Sequence, residues 1–264
     1  MRGLYLIPGW MTRRDGGADE LARRRAAVQR VAGQQWTMDA WEVVGGPVSI
    51  ESAYEEYLSV PGAIERLVDA ERAGFDGVVL GCFGDPGVEA MREMVGIPVV
   101  GPGEASMLVA ASLGHRFSIV TVLASVVPLL ERLAWQVGVD RKLASVRAID
   151  VPVLDLGHDP GDTLTRMIKE GEAARDHDRA DVIIMGCMTM AFQDRQSELA
   201  AALGIPVVNP VHAGVKMMQA LCEMGLRHSR TAYPVPPKLA KAARETATRT
   251  ETGVRAGTGE HAAR

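Results

Sequence analysis

Two cysteines follow apolar runs in closely similar contexts. Cys82 follows "GVVLG" and Cys187 follows "VIIMG", so a glycine precedes each thiol. We expect a helix to begin soon after each cysteine, where backbone amides favour a thiolate. A lone cysteine after a strand is usually a small buried hydrophobe, but the repeated context favours a chemical role for both. Cys222 lies in an amphipathic stretch without these features and is assigned to the core.

Two thiols that face each other across a cleft suit proton transfer at one carbon. One thiolate removes a proton from one side of the carbon, while the opposite thiol delivers a proton to the other side. The amides should lower each thiol pKa from about 8.5, and the negative charge that develops on the substrate needs hydrogen-bond donors. The sequence suggests five residues that supply backbone amides or hydroxyls for this purpose: Phe83, Gly84, Thr121, Met188 and Thr189.

The segments that carry the cysteines read as an α/β protein. Short runs rich in valine and isoleucine are typical of parallel strands buried on both faces. These runs lie at residues 77–80, 97–100, 117–122, 182–185 and 205–208. Stretches with helical spacing separate them, such as Ile64, Leu67 and Val68. The alternation predicts β-α units with parallel sheets and helices on their faces.

An internal duplication predicts two pseudo-symmetric lobes. Each half contains, in order, an aspartate, an apolar strand, Gly-Cys, a helix, the string "GIPVV" and another helix. We expect residues 1–112 to form a first lobe with Cys82, to which the last helix of the chain returns, and residues 113–225 to form a second lobe with Cys187. Residues 226–264 are poor in large apolar groups, so we expect an extended, partly disordered tail pinned at "YPVPP".

Composition and charge exclude several classes of function. The chain has 264 residues and a formal net charge of -4, which gives no general attraction to nucleic acid or to anionic membranes. The apolar start is interrupted by Pro8 and Gly9, so we expect no membrane span and a cytoplasmic location. Three cysteines without CxxC do not make a disulfide framework, and no clustered histidine spacing predicts a metal site.

Three longer strings make the chain resemble a known enzyme family. The strings are "GGPVSIESAYEEYLSVPGAIERLVDAERAGFDGVVLGCFGDPGVEAMREMVGIPVVGPGEASMLVAASLGHRFSIVTVL", "DVIIMGCMTMAF" and "GIPVVNPVHAGVKMMQAL". They resemble the Asp/Glu/hydantoin racemase superfamily, and most of all its hydantoin and allantoin racemase branch. The resemblance covers most of residues 45–225.

The resemblance implies a fold, a reaction and a site. It implies two pseudo-symmetric α/β lobes with an interlobe site, and proton transfer at one carbon without a cofactor. It maps the catalytic pair onto Cys82 and Cys187. It also implies a homo-oligomer and a small-molecule substrate, for which a 5-substituted hydantoin or a related compound is the expected class.

The first strand departs from the pattern of that branch. Its members usually carry an Asn-Pro-Asn turn there, whereas this chain has Ile7, Pro8, Gly9 and then Trp10. We expect Pro8, Gly9 and Trp10 to contact the substrate, with the indole either forming an apolar wall or covering the sheet edge. The arginines at 23–25 are expected on the solvated face of an early helix.

Two other kinds of function stay open at this point. On the same fold, a decarboxylase uses one cysteine as a proton donor, and a cis-trans isomerase uses one as a nucleophile. A non-catalytic small-molecule-binding protein made of two similar lobes is the other alternative, and it predicts unreactive thiols of ordinary pKa.

Overall fold

In the part of the chain that the structure describes, eight parallel strands form two separate sheets. The computed structural model describes residues 1–239. The first sheet has the order β2-β1-β3-β4 and the second has the order β6-β5-β7-β8. The strands are β1 Arg2–Ile7, β2 Thr37–Glu42, β3 Gly77–Leu80, β4 Val99–Val100, β5 Phe117–Thr121, β6 Leu143–Ala148, β7 Val182–Met185 and β8 Val207–Val208. The predicted fold class, two α/β lobes with parallel sheets, is confirmed.

Helices cover both faces of the two sheets. They are α1 Gly17–Ala32, α2 Ala53–Arg72, α3 Val88–Met94, α4 Pro102–Leu113, α5 Val127–Val137, α6 Pro160–Asp176, α7 Met188–Ala191, α8 Gln196–Leu203 and α9 Pro210–Glu223. Because helices lie on both faces, every residue of β3, β5 and β7 is buried. This burial accounts for the continuous apolar runs in the sequence.

The duplication in the sequence is repeated in the backbone hydrogen bonds. The N–H of Asp76 donates to the Arg2 carbonyl at 2.8 Å, and the N–H of Asp181 donates to the Arg116 carbonyl at 2.8 Å. These two bonds set the start of the central strand pair in each sheet. The two lobes therefore share their topology and the register of the central strand pair.

The last helix of each half packs against the sheet of the other half. Helix α4 follows β4 in the chain, yet it contacts β5, β7 and β8 of the second sheet. Helix α9 follows β8, yet it contacts β3 and β4 of the first sheet. Helix α9 therefore returns to the first lobe, and α4 packs on the second lobe in the same way. A boundary at residue 112, drawn by chain order, assigns α4 to the first lobe.

The chain after α9 runs back along the first lobe. Val99 donates its N–H to Nε2 of His228 at 2.9 Å, and the Arg230 guanidinium donates to the Arg92 carbonyl at 3.1 Å. The Arg92 guanidinium in turn donates to the Tyr233 hydroxyl at 3.3 Å. His228, Arg230 and Tyr233 of the predicted tail therefore contact the first lobe, while residues 240–264 lie outside the described part of the chain.

Candidate active site

Each cysteine stands at the carboxyl edge of the central strand pair of its own sheet. Gly81 donates its N–H to the Leu6 carbonyl at 2.7 Å, and Gly186 donates its N–H to the Val120 carbonyl at 2.7 Å. Cys82 and Cys187 are the next residues, so they occupy equivalent positions. In open parallel sheets, ligands bind at this edge.

Close packing explains why a glycine precedes each thiol. A Cβ on Gly81 would lie 2.9 Å from the Leu6 carbonyl oxygen and 3.0 Å from the Tyr5 ring. A Cβ on Gly186 would lie 2.6 Å from the Ile119 side chain. Because backbone or fully buried side chains fill both places, a larger residue would push the strand end, and the cysteine with it, out of position.

The two cysteines line one cavity between the lobes. Its volume is about 100 Å³, several times what one water molecule needs. Nine of the ten residues predicted for the site line this cavity: Pro8, Gly9, Cys82, Phe83, Gly84, Thr121, Cys187, Met188 and Thr189. The structure therefore brings together residues from both halves of the chain, as the duplication suggested.

Trp10 is the predicted site residue that lies outside the cavity wall. Its backbone N–H donates to the Pro47 carbonyl at 2.9 Å, and the Arg13 guanidinium lies over its indole, 5.6 Å from the ring centroid. The indole therefore contacts Arg13, and Trp10 is not part of the cavity wall. The following residue, Met11, lines the cavity instead.

The loop that carries Cys82 is tied to the start of α4. The Asp85 carboxylate, which is only 4% exposed, accepts the N–H of Gly103 at 2.9 Å and that of Glu104 at 2.7 Å. Burial raises the pKa of Asp85 to about 8, although both amides favour its ionised form. Helix α3 begins only at Val88, so the loop itself, and not a helix N-terminus, surrounds the Cys82 thiol.

Cys187 sits directly at the N-terminus of a helix. It is the N-cap residue of α7, and the Asn209 side chain holds the end of that helix by donating to the Ala191 carbonyl at 3.1 Å. Asn209 also caps α9, since its side chain accepts the Val211 N–H at 2.9 Å. Each cysteine segment is thus anchored to the N-terminus of the helix that crosses to the other lobe.

Burial raises the pKa of both thiols, and their neighbours then act in opposite directions. For Cys82, the Gly84 N–H lowers the pKa, but the Glu56 and Asp85 carboxylates raise it further. For Cys187, the N–H groups of Met190 and Thr189, the Arg24 charge and the Thr189 hydroxyl all lower the pKa. The expectation that amides bring both thiol pKa values below the ordinary value is wrong, because burial outweighs them.

Arg24 corrects a sequence-based expectation. The arginines at 23–25 were expected to be solvated, but Arg24 is 4% exposed and lines the cavity. It forms an ion pair with Glu20 at 2.7 Å and donates to the Thr189 hydroxyl at 2.9 Å. The signal was present in the sequence, because Glu20, Arg24 and Val28 are four residues apart and so share one helix face.

Other wall residues come from segments that the sequence analysis did not assign to the site. They are Met11, Arg14, Val48, Ser49, Ile50, Glu56, Val126, Leu130, Val153 and Leu154, together with Arg24. Most are apolar. Among the described residues, Arg14 Nε is buried without a hydrogen-bond partner, so its N–H is available to a substrate oxygen. Burial raises the pKa of the Glu56 carboxyl, and Arg132 opposes that effect.

Several other residues of types that often take part in catalysis lie away from the cavity. The Cys222 Sγ lies 3.4 Å from the Asp76 carbonyl at the far side of the first sheet. His212 lies beside Asp194, and Glu104 pairs with Arg92 near the start of α4. Within residues 1–239, no cluster of three metal-ligating side chains is found, and no helix is both long and apolar enough to cross a membrane.

Comparisons with known proteins identify the family to which this chain belongs. The profile of the family described as Asp/Glu/Hydantoin racemase matches residues 15–218. The chain is 40% identical over 195 residues to a hydantoin racemase of Pseudomonas sp. (strain NS671), covering 73% of this chain and 77% of that protein. It is 41% identical over 192 residues to a hydantoin racemase of Rhizobium meliloti, covering 71% and 78%.

A solved structure extends the similarity to the whole fold. The crystal structure of allantoin racemase from Pseudomonas fluorescens superimposes with a TM-score of 0.82 at 31% identity, covering 90% of this chain and 97% of that one. The predicted resemblance is confirmed. The chain belongs to the Asp/Glu/hydantoin racemase family, in its hydantoin and allantoin racemase branch, and is a racemase, that is, an isomerase.

Proposed function

We propose that this protein is a cofactor-independent racemase or epimerase that uses Cys82 and Cys187 as its two acid/base groups. The observation that carries the proposal is that the two thiols, at equivalent positions in the two halves, line one cavity. A two-base reaction needs one group on each side of the reacting carbon. Two lobes related by duplication, each of which contributes one thiol to the same cavity, support that arrangement.

The proton transfers balance without any other reactant. The thiolate of one cysteine takes the proton from the carbon, so a C–H bond breaks and an S–H bond forms. The electron pair left behind spreads onto the neighbouring carbonyl oxygen. The second cysteine then gives its S–H proton to the opposite face of the carbon. Turnover thus leaves the two cysteines with exchanged protonation states.

The expected substrate class is a 5-substituted hydantoin. The proton on C5 of such a ring is acidified by the adjacent carbonyl, and the ring oxygens are acceptors for the Arg14 guanidinium and for amides near the thiols. The apolar wall that contains Ile50, Val126 and Leu130 suits an alkyl or aryl substituent. The names of the relatives support the same class.

The test uses single enantiomers of 5-substituted hydantoins with the wild type, Cys82→Ser and Cys187→Ser. We expect each variant to lose about 10²- to 10⁴-fold in racemisation, followed by optical rotation. In heavy water, each variant should still exchange the proton of one enantiomer, and the two variants should favour opposite enantiomers. Cys222→Ser is the matched control, since its thiol lies outside the cavity, and it should retain wild-type activity.

The alternatives give different results in this test. A single-thiol decarboxylase or cis-trans isomerase would depend on one of the two cysteines and be indifferent to the other. A binding protein would show no enzyme-dependent exchange with any variant. Equal, full activity in both cysteine variants would end the proposal.

The predicted setting of the enzyme belongs to the same proposal. We expect a cytoplasmic homo-oligomer acting on a small molecule. Three large apolar side chains on α2 and α5, Tyr54, Tyr57 and Trp135, are between 69% and 74% exposed. These helices are the surface that we expect a second subunit to cover.

A further inference from the structure

Arg24 is a buried cation at this site, and hydrogen bonds through Thr189 connect it to one of the two thiols. It is held on α1 by Glu20, and its guanidinium stacks on the Phe192 ring at 4.8 Å from the centroid. From this fixed position it donates to the Thr189 hydroxyl at 2.9 Å. Thr189 lies in the first turn of α7, two residues after Cys187, and its hydroxyl and N–H both face the Cys187 thiol.

The other thiol has acidic neighbours in place of this cation. The Glu56 carboxyl lies against Gly84, where an added Cβ would be in steric conflict with its Oε1. The Asp85 carboxylate belongs to the same loop as Cys82. The Tyr5 hydroxyl lies 3.5 Å from the Gly81 carbonyl, directly before Cys82. The two equivalent cysteines therefore have different neighbours, because a cation reaches Cys187 through Thr189 while two carboxyl groups lie near Cys82.

We propose that Arg24 is a positioning residue that makes Cys187 the first of the two thiols to ionise, so that in the resting protein Cys187 is the base and Cys82 the acid. The inference deepens the proposed function and rests on it, because the proposed reaction is what gives the two thiols their roles as base and acid. The Cys187 proton leaves to solvent. The thiolate that remains is stabilised by the Thr189 hydroxyl, by the α7 amides and by the guanidinium charge.

The asymmetry has to be measured on the thiols themselves. Two enantiomers have an equilibrium constant of one, so kcat/KM must be equal in the two directions at every pH. Steady-state rates therefore do not reveal which cysteine ionises first. The rate of alkylation by iodoacetamide follows the thiolate fraction and reports each cysteine separately.

The experiment is alkylation of the intact protein across a range of pH, with each cysteine quantified by peptide mass spectrometry. In the wild type we expect Cys187 to show its midpoint at lower pH than Cys82. In Arg24→Gln, the Cys187 midpoint should rise by about one pH unit, which is about tenfold slower alkylation below the midpoint. The Cys82 midpoint should stay within a few tenths of a unit.

Two further variants separate the charge from the fold. Arg24→Lys keeps the charge but cannot make the same fork of hydrogen bonds, so its Cys187 midpoint should lie between those of the wild type and Arg24→Gln. Arg25→Gln removes a cation from the next residue of the same helix, whose side chain is 61% exposed, and should match the wild type. In racemisation, Arg24→Gln should shift the acidic limb of kcat/KM upward equally in both directions.

Three results would overturn the inference. These are a wild type in which Cys82 is alkylated at lower pH than Cys187, a folded Arg24→Gln with an unmoved Cys187 midpoint, and midpoints of both cysteines that move together. The wild-type order is informative even if the variants do not fold. If the thiol order and its shift appear but no hydantoin is racemised, the proposed function fails while the role of Arg24 in ionising Cys187 stands.

Discussion

At the scale of single residues, Thr121 and Thr189 both line the cavity, but their hydroxyl groups have different hydrogen-bond partners. The Thr121 hydroxyl donates to the Gly186 carbonyl at 3.1 Å, and the side chain is fully buried. The Thr189 hydroxyl accepts from Arg24 and is free to donate toward Cys187. We infer that Thr121 holds the strand end in place, while Thr189 acts on the chemistry.

This division predicts that the free energy of unfolding depends on whether residue 121 keeps a hydroxyl group. Thr121→Val should lower the free energy of unfolding by about 1 to 2 kcal/mol, because the Gly186 carbonyl loses its side-chain donor. Thr121→Ser keeps the donor and should recover most of that loss. Urea denaturation followed by circular dichroism measures both. A valine variant with wild-type stability but a much higher KM would instead assign the hydroxyl to the substrate.

The sequence predicts part of the site from residue types. The helical spacing around Arg24 would have added that residue to the prediction. Cys82 and Cys187 were found because their contexts repeat. A run of three arginines predicts one solvated group, but the spacing of Arg24 from Glu20 and Val28 places Arg24 on the buried face of α1. Trp10 is expected at the site because it follows the Pro8-Gly9 turn of the first strand, but it lies outside the cavity wall.

At the scale of elements, the cysteine segments are positioned by caps. Helix α2 shows how such signals improve prediction: the periodic stretch begins near Pro61, but the helix begins at Ala53. Ser52 caps this start, since its side chain accepts the Glu55 N–H and its hydroxyl donates to the Glu55 carboxylate. Asp85 is a cap of another kind, because it comes from a loop distant in sequence.

The Asp85 cap can be compared with an exposed one. Asp159 also accepts two N–H groups at a helix start, from Gly161 and Asp162, but it is exposed. Asp85→Ala should lower the free energy of unfolding by about 2 to 3 kcal/mol, whereas Asp159→Ala should cost about 1 kcal/mol. The difference arises because water replaces the lost acceptor only at the exposed site.

A further variant controls for backbone strain at Asp85. Its φ is 52°, which alanine tolerates poorly. Asp85→Asn keeps the tolerance for this conformation and one carbonyl acceptor, so its loss should be the smaller of the two. If Asp85→Ala and Asp159→Ala proved equally mild in thermal and urea unfolding, the anchoring role of Asp85 would be refuted.

At the scale of the whole molecule, the cavity depends on contacts between the two halves. Helices α4 and α9 cross over to the opposite sheets, and Glu51 joins the lobes by accepting the Ser125 hydroxyl at its carbonyl and the Val153 N–H at its carboxylate. Continuous apolar strands and the duplication predicted the sheets and the pairing of the lobes. The wall at residues 48–50 and 153–154 was not predictable, because irregular loops carry no periodicity and meet only in the folded chain.

The central claim is that a separate thiol serves each face of one carbon, and the isotope content of the two enantiomers tests it most directly. A single enantiomer of a 5-substituted hydantoin is incubated with the wild type in heavy water, with an enzyme-free sample correcting for spontaneous exchange. At early times we expect deuterium in the product enantiomer from its first appearance and almost none in the remaining substrate. Rapid deuteration of the remaining substrate, or product that keeps the original proton, would contradict the two-thiol account.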